Sequence, residues 1–207
     1  MPLILRVDEL TGMWNSNNSL SQDYHYRDVE GTSPPSKELV LANVRRVPAF
    51  NIDKHIKVFE GTLTGYGNEP LTVLCKISCD ESMEGKKTLA KERWAYNRLH
   101  DLQGLSVPHF YGHYVHDDSD TECIVFEYIG EPVTDFRDMD RAFRIRILDT
   151  FRAIHDRGVE VDHFYPSNVR INQGHHQLFR RQLFWRAGLC VVHRGNDTQH
   201  LETRFVH

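Results

Sequence analysis

Two alternating apolar runs joined by a tight turn, with a helically spaced run directly after them, constrain this chain more than any other feature. Ile56-Lys57-Val58-Phe59-Glu60-Gly61-Thr62-Leu63 alternates as a strand does, and Leu71-Thr72-Val73-Leu74-Cys75-Lys76-Ile77 follows it as a second strand. Between them Gly65-Tyr66-Gly67-Asn68-Glu69-Pro70 supplies turn chemistry, so the pair predicts an antiparallel hairpin. Residues 86–100 then place Leu89, Arg93, Tyr96 and Leu99 at spacings of four and three, which is the helical period, with Arg93 counted for its apolar stem. Further strands are predicted over 110–116 and 121–128. A long helix is predicted over 138–157, with Phe143, Ile147, Phe151 and Ile154 on one face and Gly158 as its stop. This order is not the regular βαβ alternation that builds a doubly wound parallel sheet. The expectation is an α+β domain: a small antiparallel sheet over about 38–128 carrying one helix near 86–100, then a mostly helical segment. No internal repeat is present.

The flanks differ from this middle. Residues 1–36 hold the polar, turn-rich clusters Asn15-Ser16-Asn17-Asn18-Ser19 and Thr32-Ser33-Pro34-Pro35-Ser36, and read as a poorly ordered extension. Within it, 2–10 is a short segment able to add a strand or helical turn to a neighbour. Residues 37–172 form the expected domain. Residues 173–207 read as an atypical tail, with five arginines against the two acids Asp197 and Glu202. An unspliced intron or a gene-model error would account for that change of character as well as a genuine tail would.

A net charge of -4 draws the chain neither to nucleic acid nor to anionic lipid. The run of Arg180, Arg181, Phe184, Trp185 and Arg186 is too short for a nucleic-acid footprint. No apolar stretch approaches the ~20 residues of a membrane span. Cys75, Cys79, Cys123 and Cys190 form no C-x-x-C pair and follow no secretory signal, so reduced thiols in the cytoplasm or nucleus are expected. His109, His113, His116, His175 and His176 match no metal-ligand spacing.

Several segments, in order, resemble protein kinases, and fungal-type kinase-like proteins in particular. Val73-Leu74-Cys75-Lys76 resembles the V-A-I-K lysine strand, and Leu89-Ala90-Lys91-Glu92-Arg93-Trp94 resembles helix C with its glutamate. Residues 102–112, Leu-Gln-Gly-Leu-Ser-Val-Pro-His-Phe-Tyr-Gly, are similar to the link from helix C to the next strand. Ile124-Val125-Phe126-Glu127-Tyr128 resembles the approach to the hinge. Val161-Asp162-His163-Phe164-Tyr165-Pro166-Ser167-Asn168-Val169 is similar to the catalytic loop H-R-D-x-x-x-x-N.

The resemblance implies a kinase-like fold with a small antiparallel N-lobe sheet, helix C and an incomplete helical C-lobe. It implies weak binding of ATP and Mg2+. Lys76 would face the phosphates, Glu92 would hold Lys76, and the backbone of Glu127 and Tyr128 would meet adenine. Asn168 would be a metal ligand. The chain departs from the family where phosphoryl transfer is performed. His163 stands at the base position and Asp162 lies one residue out of register. Residues 47–57 contain no glycine, and residues 179–184 offer no D-F-G aspartate. The expected function is therefore a kinase-like domain with phosphotransfer lost or impaired. The alternatives are a pseudokinase-type binding or scaffold module, or a non-functional fragment.

Overall fold

The computed structural model describes residues 3–7, 22–28, 39–47, 55–78, 83–116, 121–130, 133, 135–137, 139–161, 166, 169–172 and 182–185. The strands are β1 (Leu3–Val7), β2 (Gln22–Asp28), β3 (Leu39–Arg46), β4 (Ile56–Thr64), β5 (Leu71–Ser78), β6 (Phe110–His116), β7 (Glu122–Glu127), β8 (Val169–Asn172) and β9 (Gln182–Trp185). Helix α1 (Met83–Arg98) and a single 3-10 turn (His100–Leu102) follow β5, and α2 (Arg141–Asp156) follows β7. Among the described residues the result is a sheet-dominated mixture of strands and two α-helices.

Seven strands close into a barrel in the order β1-β2-β6-β7-β5-β4-β3. The middle of that order, β6-β7-β5-β4-β3, is antiparallel throughout, in line with the sheet read from the sequence. The closure goes beyond that sheet: β1 lies in the 2–10 segment read as able to add a strand to a neighbour, whereas β2 was not expected. β1 and β2, both from the stretch expected to be an extension, pair with each other, with β3 (parallel) and with β6 (antiparallel). The physical reason is twofold. Open edges at β3 and β6 would leave rows of backbone N–H and C=O groups unpaired, and the ribbon satisfies both. Leu3 and Leu5 are also apolar enough to fill the barrel, at 0% and 5% exposure. The clusters at 15–19 and 32–36 lie outside the described residues.

Successive strand residues face opposite sides of a sheet, and here both sides are buried. Leu41, Phe59, Leu63, Val73, Cys75, Ile77, Cys123 and Val125 fill the barrel. Val58, Leu74, Ile124 and Phe126 point outward into a second core with Leu89, Ala95 and Tyr96 of α1 and Phe143, Ile147 and Ile154 of α2. At Gly112 a bulge in β6 brings φ to +145°, and a Cβ there would lie 2.5 Å from the Tyr114 hydroxyl, so this position needs glycine.

Asp140 caps α2, its Oδ1 accepting from the Phe143 N–H at 2.7 Å. The helix ends where Gly158 takes φ +70°. Arg157 then ties the two helices together. Its Nε donates to Asp101 Oδ1 at 2.8 Å, its Nη2 donates to Asp101 Oδ2, and its carbonyl accepts from Arg98 Nε at 2.9 Å. β8 and β9 form a separate antiparallel pair, with the Val169 carbonyl accepting from the Val133 N–H at 2.9 Å. Among the described residues no helix is long and apolar enough to cross a membrane.

Candidate functional site

Lys76 leaves the outer face of β5 between Val58 on β4 and Ile124 on β7. Neither neighbour can pair with an ammonium group. Glu92 lies across from it on the buried face of α1, and both carboxylate oxygens accept from Lys76 Nζ, at 2.6 and 2.8 Å. The side chains are 10% and 3% exposed. The Phe126 ring lies beside the ammonium group, 5.7 Å from its centroid, and adds a cation–π contact.

Behind this pair lies an aromatic wall that the sequence reading missed. Tyr96 packs on Phe126 at 4.6 Å and on Phe110 at 5.8 Å. Its hydroxyl is buried and finds no hydrogen-bond partner among the described residues. Burial first, then the charges of Glu92 and Glu127, push the Tyr96 hydroxyl well above its ordinary range, so it stays protonated. Tyr96 was legible as a core position from its helical spacing. Its place beside the Lys76–Glu92 pair was not.

A second polar knot sits on the same outer face. Arg93 Nη1 meets His113 Nδ1 at 3.1 Å, and His113 Nε2 meets Glu122 Oε2 at 2.9 Å. A guanidinium group can only donate, so Nδ1 accepts and the imidazole is neutral with its proton on Nε2. Ser78 completes the knot. Its Oγ accepts from the Glu122 N–H at 2.8 Å and donates to the Glu122 carbonyl at 3.4 Å. The knot joins α1, β5, β6 and β7. Arg93 is thus more than an apolar stem, and its place on the buried face of α1 was the one signal in the sequence.

Glu127 ends β7 and Tyr128 follows it. The Glu127 N–H donates to the His109 carbonyl at 2.9 Å, and the Tyr128 N–H donates to the Thr72 carbonyl at 3.1 Å. Glu127 Oε2 accepts from the His109 N–H at 3.1 Å. Both backbone donors expected to meet adenine are therefore already engaged within the fold. Asp162, His163 and Asn168 lie outside the described residues, so the expected catalytic loop has no geometry here. β8, which begins one residue after Asn168, is anchored by Val169 to Val133 and by Arg170 Nη1 to the Gly130 carbonyl. The described residues include no cluster of three or more His, Cys, Asp or Glu side chains able to hold a metal ion.

What fold and site define together is a class: a strand-dominated mixed α and β domain with a buried lysine–glutamate pair between sheet and helix. No protein-family profile matches the chain, and no curated protein does. Among solved structures, the chain is similar to the apo form of a pseudokinase at 15% identity and a TM-score of 0.47, over 72% of this chain and 56% of that one. The chain thus spans little more than half the length of that structure.

Proposed function

We propose that this chain is a kinase-like domain that retains the lysine–glutamate pair of a nucleotide site and does not transfer phosphate. The observation that carries this reading is the buried contact of Lys76 Nζ with both oxygens of Glu92. A buried ion pair adds little net stability, because desolvating two charges offsets most of their attraction. Its use is positional. It fixes an ammonium group on the outer face of a strand, where it can meet the phosphates of ATP.

The loss of transfer follows from the residues around it. Phosphoryl transfer is driven by positioning and by charge neutralisation through magnesium. Residues 47–57, which run from the end of β3 into the start of β4, have no glycine whose backbone could close over phosphates. His163, at the base position, cannot supply negative charge beside a metal. No Asp or Glu occurs between Asp162 and Asp197, so β9 and the residues after it offer no D-F-G carboxylate. Asn168 would be the remaining magnesium ligand.

One observation favours a second reading, a binding or scaffold module that takes no nucleotide. The N–H groups of Glu127 and Tyr128 are engaged by His109 and Thr72, which removes two of the expected adenine contacts. Thermal melts with ATP or ADP, with and without magnesium, separate the two. A rise in melting temperature that Lys76→Met abolishes supports nucleotide binding. No rise at millimolar nucleotide supports the scaffold. Radiolabelled phosphate transfer to a generic protein substrate tests the loss of activity. Transfer well above an Asn168→Ala control would overturn that claim.

A further inference from the structure

Inside the barrel, on the face of β5 and β7 turned away from Lys76, two thiols nearly touch. Cys75 Sγ and Cys123 Sγ are 3.0 Å apart, and both residues are 0% exposed. The register pairs Cys75 with Val125 and Ile77 with Cys123, so the cysteines sit on a diagonal between adjacent antiparallel strands. Diagonal neighbours in a sheet lie near the outer limit of disulfide reach, and here the two side chains lean toward each other until their sulfurs are 3.0 Å apart. A disulfide bond needs sulfur atoms about 2.0 Å apart, roughly 1 Å closer than here. Burial first, then the Cys75 thiol, push the Cys123 thiol well above its ordinary range. Both residues are fully buried, so neither sulfur meets a reagent until a strand opens.

We propose that Cys75 and Cys123 are a modification site: a latent cross-strand disulfide that forms at the expense of a small disulfide such as oxidised glutathione. One thiol loses its proton during an opening of the barrel and attacks the glutathione disulfide. A mixed disulfide forms and one glutathione thiolate leaves. The second protein thiol loses its proton and attacks the protein sulfur of that mixed bond. The Cys75–Cys123 bond forms and the second glutathione thiolate leaves. The two leaving thiolates take up the two protons. The protein is oxidised by two electrons and oxidised glutathione is reduced to two thiols. Once the barrel recloses, the bond is shielded from reductant by the burial that slowed its formation. It joins the strand that carries Lys76 to the strand that leads to Glu127, across 48 residues of chain.

The test uses the full chain with Cys79→Ser and Cys190→Ser, so that only the barrel pair remains. The native protein is equilibrated in a graded series of reduced and oxidised glutathione. The expected product is a monomer two hydrogens lighter by intact mass, with no thiol that reacts after denaturation. Its melting temperature is expected to rise by several degrees, since the cross-link restricts the unfolded chain. Dithiothreitol applied to the unfolded protein should reverse the change. Adding Cys75→Ala or Cys123→Ala to the same background should leave a free thiol or a glutathione adduct and no rise. The proposal is overturned if both thiols are still alkylated on denaturation across the whole series, or if only glutathione adducts form. A bond that forms but lowers the melting temperature also overturns it, because the strands would then not be set for the bond.

Discussion

Glu92 is a carboxylate at 3% exposure whose charge is tolerable because Lys76 stands against it. Removing one partner strands the other. Lys76→Met is expected to destabilise the protein by about 3–5 kcal/mol, as loss of one member of a buried pair does. Replacing both, with Lys76→Met and Glu92→Leu, is expected to cost well under the sum of the single changes. Urea unfolding of the four chains measures the coupling, and additive effects would mean that the pair does not interact. His113→Ala is expected to cost about 1–3 kcal/mol, because Arg93 and Glu122 would each lose a buried hydrogen-bond partner. The same urea series reads it, and an unchanged midpoint would remove the knot from the list of structural contacts. The Lys76–Glu92 contact was expected from the resemblance of the two segments, in order, to a kinase lysine strand and helix C, and the two side chains do meet. The place of His113 was not legible. Its partners sit on another helix and another strand, and a histidine carries no periodic signal.

At the scale of elements, the joint between α1 and α2 rests on Asp101 and Arg157. Hydrogen bonding from Arg157 lowers the Asp101 carboxyl from 3.8 to about 2. A depressed folded-state value contributes stability above the unfolded value and loses it as pH falls through the folded one. The melting-temperature gap between the parent chain and Asp101→Asn should therefore be full above about pH 4 and close toward about pH 2. The aspartate is exposed, so the gap should be small and shrink in high salt. A gap that widened on acidification would contradict the assignment. Gly158→Ala is expected to cost about 1 kcal/mol or slightly more, since φ is +70° there, and chemical denaturation checks it. Helix boundaries were readable within a few residues. The apolar faces set their middles, Asp140 and Gly158 set the ends of α2, and α1 begins three residues earlier than its spacing indicated.

For the whole molecule, the consequential contact is the ribbon β1–β2, of which the sequence showed only the strand-forming capacity of residues 2–10 and not β2 or its pairing. Leu3 and Leu5 lie in a short apolar run, and nothing local in Gln22–Asp28 points to His116, which Tyr26 faces. Pairing at that separation leaves no trace in periodicity. Deleting residues 1–28 should expose the edges of β3 and β6 and empty the barrel of Leu3 and Leu5. The expected outcome is a broad, non-cooperative thermal transition and a shift to large species on size-exclusion chromatography. A monomer with an unchanged, sharp transition would show that the five central strands suffice. The same ribbon matters during synthesis. It emerges from the ribosome ahead of β6, which follows roughly 90 residues later, a delay on the order of 5–20 s at ordinary elongation rates. For that interval β2 waits without its β6 partner. A chaperone that holds the nascent N-terminus, or a pause in translation before β6, would therefore decide how much of this protein reaches its closed form.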